Sequence, residues 1–106
     1  MRYLGGKSRI AKQIAAYLTS VRKPGQLYIE PFAGAGWILQ EMENPRYASD
    51  ICEDLISLHK AVQTGWEPPK NLSEVEYFQL KKAPPSALRA FAGFGCSFGG
   101  KWFGGY

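Results

Sequence analysis

Histidine, cysteine and long apolar runs are nearly missing from this chain of 106 residues. Its one histidine, His59, has no second ligand at metal-binding spacing, so it reads as a helix-surface residue and no metal site is expected. The two cysteines, Cys52 and Cys96, lie far apart without CxxC spacing, which excludes a disulfide framework and a zinc cluster. No apolar stretch approaches the length of a membrane span or a secretory leader, so a cytoplasmic protein with no membrane partner is expected. Carboxylates are outnumbered, nine against thirteen Lys and Arg, giving a net charge of +4. The basic residues gather near one end (Lys7, Arg9, Lys12, Arg22, Lys23) and the other (Lys81, Lys82, Arg89, Lys101). That pattern suits either a solvated basic surface or a face that meets phosphates. A complete doubly wound sheet usually needs about 150 residues, so only part of one is expected. The composition, 45% hydrophobic and 21% charged, is that of a folded protein.

What is present centres on Tyr28-Ile-Glu-Pro-Phe-Ala-Gly-Ala-Gly-Trp37. Leu27–Ile29 reads as a short buried strand, ended by Glu30 and Pro31 because proline cannot donate to a ladder. Ala33 to Gly36 allows a sharp turn and a close backbone approach to a ligand. Trp37–Glu43 is expected as a short helix whose first amides face that loop. Strand, small-residue turn and helix start together form the ligand-binding edge of an α/β sheet.

Before this stretch, Ile10, Ile14, Leu18 and Val21 recur at helical spacing beside Ala11 and Ala15, with Ser8 as the expected N-cap and Pro24-Gly25 as the stop. Gly6-Lys7-Ser8 is not a phosphate-binding P-loop, since Met1 stands where its first glycine belongs and no strand precedes it. Lys7, at a helix start beside two glycines, is still well placed to meet an anion. After the loop, Arg46–Asp50 reads as a second strand. Its terminal Asp50 either caps the next helix or accepts the hydroxyls of a ribose, and the glycine loop upstream favours the ribose. Helices are expected over Asp54–Gln63, over Glu74–Lys82 behind a Ser73/Glu76 capping box, and over Ala87–Ala92. From Gly93 to Tyr106 glycines alternate with aromatics. This segment suits either an aromatic surface for stacking bases or a loop that packs against further protein.

In this order, Tyr3-Leu-Gly-Gly-Lys7, Glu30-Pro-Phe-Ala-Gly-Ala-Gly36, Ser49-Asp50-Ile51 and, more loosely, Ala90–Tyr106 resemble the motifs of the Dam-like, phage-type DNA adenine-N6 methyltransferases. The resemblance implies an α/β fold, a partial doubly wound (Rossmann-like) methyltransferase fold with a short parallel sheet and flanking helices. Residues 1–92 would be the cofactor half and residues 93–106 a Gly/aromatic tail. It implies S-adenosylmethionine as cofactor and DNA as partner. Tyr3 and Lys7 would meet the methionine carboxylate, Phe32, Gly34 and Gly36 would line the loop under the sulfonium, Asp50 would hold the ribose hydroxyls, and Ile51 would pack on adenine.

The family transfers its methyl group with an Asp-Pro-Pro-Tyr tetrapeptide. Of the two Pro-Pro pairs here, Glu67-Pro-Pro-Lys70 and Ala83-Pro-Pro-Ser86, neither has both the polar head and the aromatic end. No catalytic residue is therefore assigned, and the chain by itself is expected to be inactive. The alternative is a non-catalytic binding protein of the same descent, a phage factor engaging a host protein or nucleic acid. A nicotinamide-binding domain is disfavoured, because Leu39 stands where a third small residue belongs. With two strands only, an open sheet edge and an exposed aromatic tail, the chain is expected to form a homo-oligomer or to need a complementing protein.

Overall fold

The computed structural model describes residues 1–106, which form two compact units, Gly5–Ile51 and Met1–Leu4 with Cys52–Tyr106. The first unit begins with helix α1, Ala11–Val21. Its cap is Ile10 rather than Ser8, and the cap makes no side-chain bond. The Ile10 amide donates to the Lys7 carbonyl instead, so a turn uses up the residues before the helix. Ala11 and Ala15 are buried and Ile14 and Leu18 half-buried, whereas Ile10 and Val21 stay exposed, so the expected apolar face is covered only along its middle.

Strand β1, Tyr28–Glu30, and strand β2, Arg46–Ala48, pair in parallel with Ile29 opposite Tyr47. The register is carried past the strand ends by Ser49 N–H to the Glu30 carbonyl (2.9 Å) and Ala33 N–H to the Ser49 carbonyl (3.0 Å). Parallel strands are normally covered on both faces. Here Leu27 and Ile29 are exposed, so the expectation of a buried strand is corrected: two strands of three residues are too short to hold a core between layers.

The helix expected over Trp37–Glu43 is reduced to a single 3-10 turn, Leu39–Glu41. Seven residues barely exceed a helix nucleus. In addition, Arg46 draws the Leu39 and Met42 carbonyls onto its guanidinium at 2.7 and 2.9 Å. Arg22 holds the same unit together, donating to the carbonyls of Gln26, Glu43 and Pro45 at 2.8–3.0 Å. It is a structural clamp, not part of a free basic face.

The second unit contains α2, Glu53–Gln63, α3, Glu74–Lys81, and α4, Ala87–Ala90, which runs on into a wide π-turn, Phe91–Gly95. The Ser73/Glu76 capping box forms as expected, each side chain bonding the other residue's amide. The core gathers around Tyr77, fully buried with Leu72, Ala92 and Phe103, with Leu80, Cys96 and Trp102 packed against them. Burial raises the pKa of the Cys96 thiol. Phe94 and Phe103 are buried, whereas Phe98 and Tyr106 are exposed, so the glycine-aromatic segment is part of the core and not wholly an exposed tail. The boundaries between the compact units fall beside Leu4 and Ile51.

Glycine makes this packing possible. A Cβ at Gly93 would collide with the rings of Trp102 and Phe103. At Gly100, with φ +70°, a Cβ would lie 2.5 Å from the Tyr3 amide nitrogen. Leu4 N–H donates to the Gly100 carbonyl (3.1 Å), and the Tyr3 ring lies 4.9 Å from that of Phe94. The N-terminal segment is thus moored on the glycine turn near the other end of the chain.

Candidate functional site

The loop leaving β1 has the conformation its small residues permit: Gly34 and Gly36 both have positive φ, 53° and 77°. Other residues adopt that region only at a cost. Gly36 N–H closes the turn onto the Ala33 carbonyl (2.9 Å). The deciding contact crosses the sheet, where the Gly34 N–H donates to Asp50 Oδ2 at 2.8 Å. Asp50, just past the end of β2, is thereby tied to the glycine loop that leaves β1. The cap of α2 is Cys52 and has no side-chain cap bond, so Asp50 does not serve as that helix's cap residue.

Ser49 supports the arrangement through its hydroxyl, which donates to the Pro31 carbonyl at 3.2 Å. Beneath the loop, Tyr28 donates its hydroxyl to Glu30 Oε2 at 3.3 Å. Partial burial and then the Glu30 charge raise the Tyr28 pKa, so the phenol remains a donor at neutral pH. Ser49 and Tyr28 lie in stretches that the sequence analysis quotes, but neither was given a role there. The one available signal was Ser49 beside the acidic residue.

The side chains flanking this loop are open. Phe32 is 89% exposed and Ile51 fully exposed, while Asp50 and Gly34 to Trp37 are half-buried. Lys7 is exposed in the same unit. Tyr3 belongs to the other unit, where its ring rests on Phe94. Of the seven residues expected in the site, the structure therefore joins Gly34 and Asp50 directly and sets Phe32, Gly36 and Ile51 beside them in the chain. No group of three or more His, Cys, Asp or Glu residues is placed to hold a metal.

A sequence model of the D12 class N6 adenine-specific DNA methyltransferases matches residues 3–86. The chain belongs to that family. No curated protein and no solved structure gave a match. Membership gives the domain its activity class, S-adenosylmethionine-dependent methylation of adenine in DNA, and makes the short parallel sheet part of a Rossmann-like methyltransferase fold. The residues present fit the cofactor's chemistry. A carboxylate such as Asp50 is an acceptor-only group with two oxygens, the chemistry that a ribose diol requires. The exposed Phe32 and Ile51 supply apolar surface beside it. No helix is long and apolar enough to cross a membrane.

Proposed function

We propose that the glycine loop of this D12-class domain holds S-adenosylmethionine. Asp50 takes the ribose hydroxyls, Ile51 lies on adenine, Phe32, Gly34 and Gly36 surround the methionine end, and Lys7 meets its carboxylate. The observation that carries the reading is the 2.8 Å bond from Gly34 N–H to Asp50 Oδ2. It sets a negatively charged two-oxygen acceptor against a turn whose glycines admit close backbone approach. A bound cofactor supplies the electrophilic methyl group, while the chain's own residues bind and orient it.

Within these 106 residues no side-chain set is arranged to hold a flipped adenine and relieve its amino group of a proton. The chain is therefore proposed to bind cofactor without transferring a methyl group unaided. It is further proposed to act in the cytoplasm, consistent with its free cysteines, and to associate with a second copy or a complementing protein.

Calorimetry with S-adenosylmethionine, its demethylated product and NAD tests the assignment. Asp50→Asn retains an acceptor for Gly34 but loses the charge. It should weaken S-adenosylmethionine binding about tenfold, and NAD should not bind. Equal affinity in wild type and variant would remove Asp50 from the site. Tritiated methyl transfer to unmethylated DNA by this chain alone would overturn the proposed inactivity.

A further inference from the structure

Strand β1 has one edge paired and one edge open. Tyr28 N–H donates to the Pro45 carbonyl (3.0 Å) and the Glu30 carbonyl accepts the Ser49 amide (2.9 Å), so both residues turn their backbone groups towards β2. Those groups alternate sides along a strand. The Ile29 N–H and carbonyl therefore point the other way, where the two-stranded sheet has no third member. An unpaired edge of this kind is a template for another strand. The side chains along it are apolar and open: Ile29 is 56% exposed, and Val21 and Leu27 are exposed too. With Leu18 and Met42 they line an open cavity of about 290 Å³. Arg22, which also lines it, is committed to the carbonyls of Gln26, Glu43 and Pro45.

The residues of this edge are complementary to themselves. When β1 is laid antiparallel against the β1 of a second copy with Ile29 at the centre, Ile29 faces Ile29 and the two exchange both N–H···O bonds. Tyr28 then faces Glu30 of the second copy, and Glu30 faces its Tyr28. Side chains directly opposite one another interact, so each copy offers a phenol donor where the other offers a carboxylate. The pair is chemically matched, since the Tyr28 phenol already donates to Glu30 Oε2 of its own strand at 3.3 Å. Ile29, on the other face, meets its apolar counterpart. Two short strands are marginal, and three or more with an apolar face are needed for independent stability. Pairing two copies makes four, in the order β2-β1-β1-β2, and a two-fold axis closes the assembly.

We propose that two copies of the chain associate through the open edge of β1, as an antiparallel pair about a two-fold axis at Ile29. The proposal rests on the association put forward above and names its surface. That surface lies wholly within the unit Gly5–Ile51. A complementing protein is the competing occupant. The mutual match of Tyr28 with Glu30 favours a second copy, because a partner of different sequence has no reason to carry it.

The test is sedimentation equilibrium of the full chain over a range of concentrations, with charges placed at position 29. Ile29→Lys and Ile29→Glu each set like charges face to face across the axis, and each should be a monomer where the wild type is a dimer. Mixed in equal amounts, the two variants should dimerise again, since opposite charges then meet. Tyr28→Phe removes two equivalent bonds and should weaken dimerisation about tenfold. Circular dichroism should be unchanged in all three variants, which confirms that a monomer is a folded one. A wild-type monomer at tens of micromolar overturns the proposal together with self-association, and leaves the edge to a complementing protein. An oligomer that survives both charged variants keeps self-association and overturns this surface for it. Charged variants that stay monomeric when mixed show that position 29 does not face itself, which overturns the two-fold pairing. S-adenosylmethionine calorimetry on the same variants reads the cofactor assignment separately.

Discussion

Two arginines show how differently the two units are built. In the unit Gly5–Ile51, Arg22 spreads its guanidinium over the backbone carbonyls of Gln26, Glu43 and Pro45. In the other unit, Arg89 donates to Asp54 Oδ2 and the Leu80 carbonyl while lying 5.2 Å from the Trp102 ring centroid and 5.9 Å from that of Phe103. Asp54 is buried and also accepts the Ser86 amide at 3.0 Å. The first arginine organises irregular chain that has little apolar interior of its own. The second joins a buried carboxylate to an aromatic core. The contrast teaches that the unit carrying the glycine loop is shaped mostly by polar contacts to backbone, which leaves its apolar side chains, Leu27, Ile29, Phe32 and Ile51, at the surface. A cofactor loop needs such openness. The aromatic unit supplies rigidity instead.

The contrast is broken most directly at Asp54. Asp54→Ala leaves Arg89 without its partner in a mostly buried setting and should cost about 3–5 kcal/mol, read by urea denaturation. A loss below about 1 kcal/mol would mean that the aromatics alone hold this unit. Next comes Gly100→Ala, which forces an unfavourable φ and a clash with the Tyr3 backbone, for about 2–4 kcal/mol. Hydrogen exchange at the Leu4 amide should accelerate in the same variant, and unchanged protection there would show that the N-terminal segment is not moored by this turn. Arg22→Ala should cost less, about 1.5–3 kcal/mol, with faster exchange concentrated within Gly5–Ile51. An effect as large as that of Asp54→Ala would erase the distinction between the units. Lys7→Ala should leave stability unchanged and weaken S-adenosylmethionine binding about tenfold, as measured by calorimetry.

The smallest effect concerns pH. The Ser73 amide, then its hydroxyl, lowers the pKa of Glu76 from its ordinary value. A group whose pKa is depressed on folding stabilises above its unfolded value and loses that contribution as pH falls through the folded value. Stability should therefore decline slightly on acidification below about pH 4.3, and Glu76→Gln should flatten this part of the profile. An identical acid limb in the variant would show that the capping box is not the titrating element.

Much of the local chemistry was legible in the residues. The Ser73/Glu76 capping box and the short parallel sheet, Tyr28–Glu30 on Arg46–Ala48, follow from rules of spacing, capping and turn geometry, whereas the bond from Gly34 to Asp50 was not foreseen. The missing helix after the glycine loop was less legible, because the competing claim on its carbonyls comes from Arg46, on the following strand. Arg22 and Arg89 counted in the sequence only as positive charge. Their roles depend on carbonyls and a carboxylate that folding brings to them.

The glycine-aromatic segment marks the boundary most clearly. Composition alone determined that it could turn sharply and carry many rings, and the ordered motifs determined the family. Which rings go inward was decided by the tertiary structure. Tyr77, twenty residues before Ser97, accepts that segment as a core, and the glycines at 93 and 100 give way to side chains and backbone from distant parts of the sequence. Apolar burial carries no direction along the chain. Only the packed neighbours determine that Phe103 is interior and Phe98 is left facing water.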